Sequence, residues 1–161
     1  MPALGGAGRP NTIRRWLSST PRRTFVLYPA LILVAELVLR DGALVFNWEG
    51  LPLLAWGYAQ YRLSGLYRTR QGGGGPGVDN PPERLVDTGV YAYIRNPMYL
   101  GHLIFMLGLI VTCSSWIALA LLLFHMWWFH QRVLEDEKHM RQLFGVKFEQ
   151  YARRVNRWGF F

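Results

Sequence analysis

Four apolar stretches, held apart by basic or Gly/Pro-rich connections, decide what this chain can become. They run from Thr24 to Leu39, roughly from Leu51 to Tyr67, from Met98 to Cys113 and from Trp116 to about Phe129. Each is shorter than the ~20 apolar residues that cross a typical hydrocarbon core. Snorkelling ends, local thinning and packing against neighbours compensate for short spans. A soluble bundle would show charged faces at helical spacing, and segments three and four carry no charged residue at all. The expected fold is therefore all-α: an integral membrane helical bundle of about four transmembrane helices with a cytosolic helical C-terminal extension.

Charge placement orients the bundle. The 18 Lys and Arg residues fall as five before Thr24, five between Arg62 and Arg95 and seven after Phe129, with Arg40 alone elsewhere. Cationic residues collect on the cytosolic side of membrane spans, so four spans with both termini in the cytosol place 17 of the 18 there. A three-span or inverted arrangement spoils that pattern. The net charge of +8 would by itself fit nucleic acid or anionic lipid, but its distribution favours the membrane and no nucleic-acid partner is expected. Charged residues make up only 17%, against ~25% in soluble globular chains. Trp48, Trp56, Trp116, Trp127 and Trp128 stand near segment ends or along one side, as interface anchors do. The reading points to a bacterial inner membrane, with the endoplasmic reticulum as the alternative. Cys113 is alone, so neither a disulfide framework nor a cysteine metal cluster is expected.

The whole of 1–161 reads as a single domain. Residues 1–23 form a basic cytosolic tail, although their acid-free composition also fits a transit peptide. Helices 1 and 2 occupy 24–67, a Gly/Pro-rich cytosolic loop 68–97, helices 3 and 4 98–130, and a cytosolic tail 131–161. In the loop, Gly72–Gly75, Pro76, Gly77, Pro81 and Pro82 forbid a regular element. Gly72 to Gly77 satisfies G-x-G-x-x-G formally, but it follows no strand, contains a proline and opens no helix, so it is not a dinucleotide fingerprint. Neither Gly nor Pro interrupts Trp116 to Phe144, and Gly145 then supplies a stop. A helix of 29 residues reaches about 43 Å, so its last three turns stand in the cytosol.

Two clusters carry chemistry. The first is TGVYAYIRNPMYLG, Thr88 to Gly101. Pro97 lacks an N–H and biases Asn96 away from helix, so the third helix begins at or just after Pro97. Arg95 and Asn96 then stand at a helix amino terminus, which favours a carboxylate or phosphate, and Arg95 adds a bidentate fork. Tyr91, Tyr93 and Tyr99 can stack on a base or face a cation. The plainer alternative is a snorkelling arginine with interface tyrosines. The second cluster is Glu135, Asp136 and Glu137. Lys138 and Arg141 can neutralise Asp136 or Glu137 by i,i+4 pairing; otherwise these acids hold the hydroxyl, ammonium or sulfonium groups of a ligand.

Other polar residues carry less. Glu36 lies inside segment one, where an ionisable group is a functional candidate by default, but Arg40 at i+4 explains it as an ion pair near the outer interface. His102, His125 and His130 lie in or near spans three and four. The five-residue spacing of His125 and His130 puts them on different helix faces, so no metal site is expected.

Taken together, the Gly/Pro-rich loop, LVDTGVYAYIRNPMYLG (Leu85–Gly101), the helical hairpin and LEDEKHMRQLFGVKFEQYARRV (Leu134–Val155) resemble the membrane methyltransferase superfamily of isoprenylcysteine carboxyl methyltransferases and phospholipid N-methyltransferases. The resemblance covers about residues 72–157. It implies an enzyme with an S-adenosylmethionine site at the cytosolic face and a lipophilic or prenylated acceptor reached from the bilayer. It implies cofactor binding by Gly89, Tyr91, Arg95, Asn96, Pro97, Tyr99, Leu100, Gly101, Asp136 and Glu137. Arg95 and Glu137 become the catalytic candidates, and Tyr151 and Arg154 the substrate-side tail that closes the site. Asn96 stands where the family usually has His, and Asp136 where it usually has Glu. Asn96 cannot serve as a general base. A carboxylate acceptor needs none, whereas an ammonium acceptor must first lose a proton, so the expectation tilts towards O-methylation of an isoprenylcysteine-like carboxylate over N-methylation of a phospholipid amine. A sterol-reductase-like NADPH enzyme and a non-enzymatic lipid-binding protein are the competing classes. Oligomeric state is not legible.

Overall fold

The computed structural model describes residues 19–74 and 82–159. The basic tail as far as residue 18 and the linker positions 75–81, with Pro76, Gly77 and Pro81, lie outside the described residues, as do 160–161. Among the described residues the fold is all-helical, with no strand.

Helix α1 is a continuous run over 20–39 built of three parts: a short α turn, Thr20–Arg22, a π-helical stretch, Arg23–Leu27, and a regular helix, Tyr28–Leu39. Pro29 accounts for the irregularity. In a regular helix its ring would press on the carbonyl of Phe25, and the wider π turn lies immediately before it. Helix α2, Leu51–Gly72, starts from a 3₁₀ turn, Trp48–Gly50. It runs five residues beyond the expected Tyr67, because no breaker intervenes before the glycine run. Helix α3 is Pro97–Cys113, opening at the expected proline. Helix α4 is Trp116–Phe144, and its 29 residues match the expected span. The Ser115 hydroxyl caps it by accepting from the Ala118 N–H at 3.1 Å. Gly145, with φ of +51°, stops it and turns the chain into α5, Val146–Arg154.

By length and composition, α4 is long and apolar enough to cross a membrane; α3 is apolar but shorter, at 17 residues. Only 22% of the apolar window of α4 is buried within the protein, so most of that surface faces outward. The remaining apolar contacts form two centres. Ile32, Leu109 and Ala118 join α1, α3 and α4, while Phe148, Tyr151 and Val155 seat α5 and the following residues against Leu85, Met140 and Phe144.

Glycine sets the closest helix pairing, that of α2 with α3. A Cβ added at Gly57 would lie 2.4 Å from the Phe105 amide nitrogen, and one at Gly101 2.6 Å from that of Tyr61. Gly50 and Gly108 meet the opposite helix in the same way. Small residues at such spacing let helix backbones touch. The far end of α3 is tied by Asn47, whose side chain donates to the Val111 carbonyl at 3.1 Å, and by Arg40, which donates to the Ser114 carbonyl at 2.8 Å. Arg40 also pairs with Glu36 at 2.6 Å, as its spacing implied. These ties hold α3 so that its amino terminus, with Arg95 and Asn96 just ahead of it, opens onto the cavity described next.

Candidate functional site

The cavity lies where the amino ends of α1 and α3 meet the carboxy-terminal half of α4. Its volume is about 650 Å³, within the ~300–1,000 Å³ of small-molecule sites. Of the residues proposed from sequence, Tyr91, Arg95, Asn96, Pro97, Tyr99, Asp136, Glu137 and Tyr151 line it. Arg95–Pro97 and the acidic pair Asp136 and Glu137, some 40 positions apart in sequence, thus face one space.

Each side chain is fixed from behind. Gly89, at φ of +58°, turns the chain into the 3₁₀ segment Gly89–Ala92, and a Cβ there would lie 2.6 Å from the Tyr67 ring. Tyr91 is buried, and its hydroxyl donates to the Ser64 carbonyl at 3.3 Å. Burial pushes that phenol up to about 12. The Tyr91 carbonyl in turn accepts from the Tyr151 hydroxyl at 2.7 Å, which locks α5 onto the loop. The residues after α5 extend this contact. The Arg95 N–H donates to the Asn156 carbonyl at 3.1 Å, and the Asn96 amide to that of Arg157 at 3.4 Å. Asn96 therefore holds the tail and makes no side-chain cap to its own helix.

Glu137 is the electrostatic node. Arg157 grips it with two bonds of 2.8 and 2.9 Å, while Arg95 stands 3.4 Å away and Arg141 3.7 Å. Burial acts to raise its pKa, but the Arg157 hydrogen bonds and the three cationic charges outweigh it and hold the carboxyl below its usual range. Burial lowers the pKa of Arg95, with Glu137 opposing. One carboxylate among three guanidinium groups leaves a positive excess, and the buried Arg95 Nε has no partner. Arg95 thus retains capacity for a second anion.

Asp136 faces the cavity differently. It accepts from the Tyr99 hydroxyl at 2.7 Å and has Arg132 3.7 Å away. Burial raises its pKa despite the Tyr99 bond and the charges of Arg132 and Arg68. A carboxylate with spare acceptor capacity near an arginine poised for an anion suits a ligand that carries ammonium or hydroxyl groups together with a carboxylate.

Four candidates stand away from the cavity lining. Gly89 shapes the turn, Leu100 faces elsewhere, Gly101 serves the α2 crossing, and Arg154 pairs with Asp87 at 3.3 Å in a mostly exposed position. Several lining residues carried no sequence signal. Arg157 looked like one more cation in a basic tail, although three cations converging on Glu137 were legible in part from the i,i+4 spacing of Arg141. Arg23, His102 and Trp128 also line the cavity, where the sequence places a tail, a span and an interface anchor.

Residues 74–147, which carry Arg95, Asp136 and Glu137, match the phospholipid methyltransferase family model, which bears out the resemblance to the membrane methyltransferase superfamily over that stretch. Among curated proteins, the chain is 34% identical over 77 residues to the protein-S-isoprenylcysteine O-methyltransferase of Schizosaccharomyces pombe, a match covering 47% of this chain and 33% of that protein. It is 34% identical over 73 residues to protein-S-isoprenylcysteine O-methyltransferase B of Arabidopsis thaliana, covering 45% and 37%, and 31% identical over 72 residues to the Saccharomyces cerevisiae protein of the same activity, covering 44% and 30%. The match thus spans about a third of the length of each of these relatives. No solved structure matches the chain.

Proposed function

We propose that the chain is an S-adenosylmethionine-dependent methyltransferase acting at the membrane on a lipophilic acceptor, by O-methylation of an isoprenylcysteine-like carboxylate. The observation that carries this reading is one cavity onto which Arg95, Asp136 and Glu137 all face, three residues of the stretch that matches the methyltransferase family. The similar proteins of Schizosaccharomyces pombe, Arabidopsis thaliana and Saccharomyces cerevisiae are named protein-S-isoprenylcysteine O-methyltransferases, which supports the reading.

The residues suit the methyl donor. Arg95, with its buried unpartnered Nε, would hold the methionyl carboxylate, and Asp136 the ammonium or ribose hydroxyls, with Tyr91 and Tyr99 as aromatic walls. Glu137 would act on the site by holding Arg95, Arg141 and Arg157 in place. The tail through Tyr151 and Arg157 would shut water out. When bound, S-adenosylmethionine supplies an electrophilic methyl group on a sulfonium. What remains for the protein is positioning and dehydration. A carboxylate oxygen is already a nucleophile, so no side chain need take a proton from it.

The same reading makes 1–161 one methyltransferase domain with four spans and both termini in the cytosol. The outward-facing apolar surface of α4 and the cationic bias of the connecting segments support it. Labelled methyl transfer from S-adenosylmethionine tests the chemistry, with the purified full chain offered an N-acetyl S-prenylcysteine and phosphatidylethanolamine side by side. The expected product is a methyl ester, so mild alkali releases the label as methanol. Alkali-stable label on the phospholipid amine would overturn the O-methylation.

A further inference from the structure

One wall of the cavity plays no part in the site described so far. Arg23, in the π-helical stretch of α1, lines it, with its guanidinium carbon 4.8 Å from the ring centroid of Trp128 on α4. The other arginines on this cavity have company: Arg95 has Glu137, Arg132 has Glu135 and Asp136, and Arg68 is likewise engaged. Arg23 has no carboxylate partner among the described residues. Among the described residues its one hydrogen bond is the 3.4 Å bond to Thr20 on its own helix, and its Nε is buried with no acceptor there.

Another residue lining the cavity is unsatisfied too. His102 is 3% exposed, lines the cavity and has a buried Nδ1 without a partner. Its ring is fixed between Phe25, at 4.8 Å, and Phe129, at 5.5 Å, and Phe129 in turn lies 5.4 Å from Trp128. Leaving a guanidinium edge out of water with no acceptor is costly. Native structures rarely tolerate this unless something else completes the bonds. π-helical turns also occur disproportionately at functional sites.

We infer that Arg23, stacked on Trp128, forms an anion subsite that receives the acceptor's carboxylate and selects acidic acceptors over uncharged or cationic ones. The inference rests on the methyltransferase reading of the same cavity and adds the residue that reads the acceptor. A guanidinium offers a carboxylate two parallel N–H donors, and it repels the ammonium group of a phospholipid amine. Esterification then loosens the grip. A carboxylate lone pair forms the new carbon–oxygen bond, the methyl–sulfur bond breaks with its pair left on sulfur, and the acceptor leaves as a neutral ester without a proton moving.

Equilibrium binding separates this inference from the reading on which it rests. The full chain in detergent is titrated with an N-acetyl S-prenylcysteine acid and with the matching carboxamide, as wild type, Arg23→Gln and Arg23→Lys, and each form is also titrated with S-adenosylmethionine. The acid should bind wild type at least tenfold tighter than the amide. That preference should fall towards one in Arg23→Gln and be largely kept in Arg23→Lys, with cofactor affinity unchanged throughout, which also reports correct folding. Equal binding of acid and amide to wild type, or a preference that survives Arg23→Gln, would overturn the Arg23 subsite while leaving the enzyme reading intact. Failure of wild type to bind S-adenosylmethionine would remove the enzyme reading instead.

Discussion

Asp136 and Glu137 are neighbours in sequence with opposite fates. Glu137 is surrounded by arginines that hold its pKa below the usual carboxylate range, whereas Asp136 is half-buried against Tyr99 with weaker cationic support and its pKa is raised. Because the folded-state pKa of Asp136 is raised, it takes up a proton on acidification sooner than it would in the unfolded chain. Its ionised form is therefore a cost to folding at higher pH, and the site bears that cost where the charge is useful. Cofactor affinity should be full above the raised value and decline as pH falls through it, a window separate from that of Glu137. Asp136→Asn should bind more weakly and lose this acid limb, as read by equilibrium dialysis across pH. An acid limb unchanged in Asp136→Asn would assign the titration to another group. None of this asymmetry is legible from three consecutive acids. It comes from which helix face meets the cavity.

At the level of helices, much of the architecture was legible and for identifiable reasons. Pro97, Gly145 and the unbroken run between Trp116 and Phe144 are local signals, and the helices begin and end on them. The α2–α3 contact was not legible, because glycine spacing signals a close crossing only once a partner is known. Gly101 shows the difference: the resemblance implied a cofactor role, while the structure sets it against the α2 backbone. Gly101→Ala should therefore act on stability first. Overpacking of this kind costs ~1–3 kcal/mol, and each kcal/mol lowers the melting midpoint of a chain this size by about 2–4 °C. Thermal unfolding in detergent should show that fall, with cofactor affinity preserved in the folded fraction. A normal midpoint with lost cofactor binding would restore Gly101 to the site. The π turn in α1 was equally hidden. Arg23 read as the end of a basic tail because Pro29 acts on the helix geometry five and six residues upstream, which composition does not register.

For the whole molecule, the arrangement divides the work. The apolar part of α4 turns most of its surface outward, and the motif-bearing loop, the carboxy-terminal half of α4 and the tail after α5 come together around one cavity. Tyr151 and Arg157 fasten that tail by bonds to the Tyr91 carbonyl and to Glu137, so the tail and the cavity-lining residues form one network. Its central member is Arg95, which Glu137 positions while the Nε is left without an acceptor. Calorimetric titration of the purified full chain with S-adenosylmethionine tests that arrangement most directly. One equivalent should bind to wild type, and Arg95→Ala should weaken binding by tenfold or more. Absence of binding to the wild-type protein, or undiminished binding to Arg95→Ala, would contradict it.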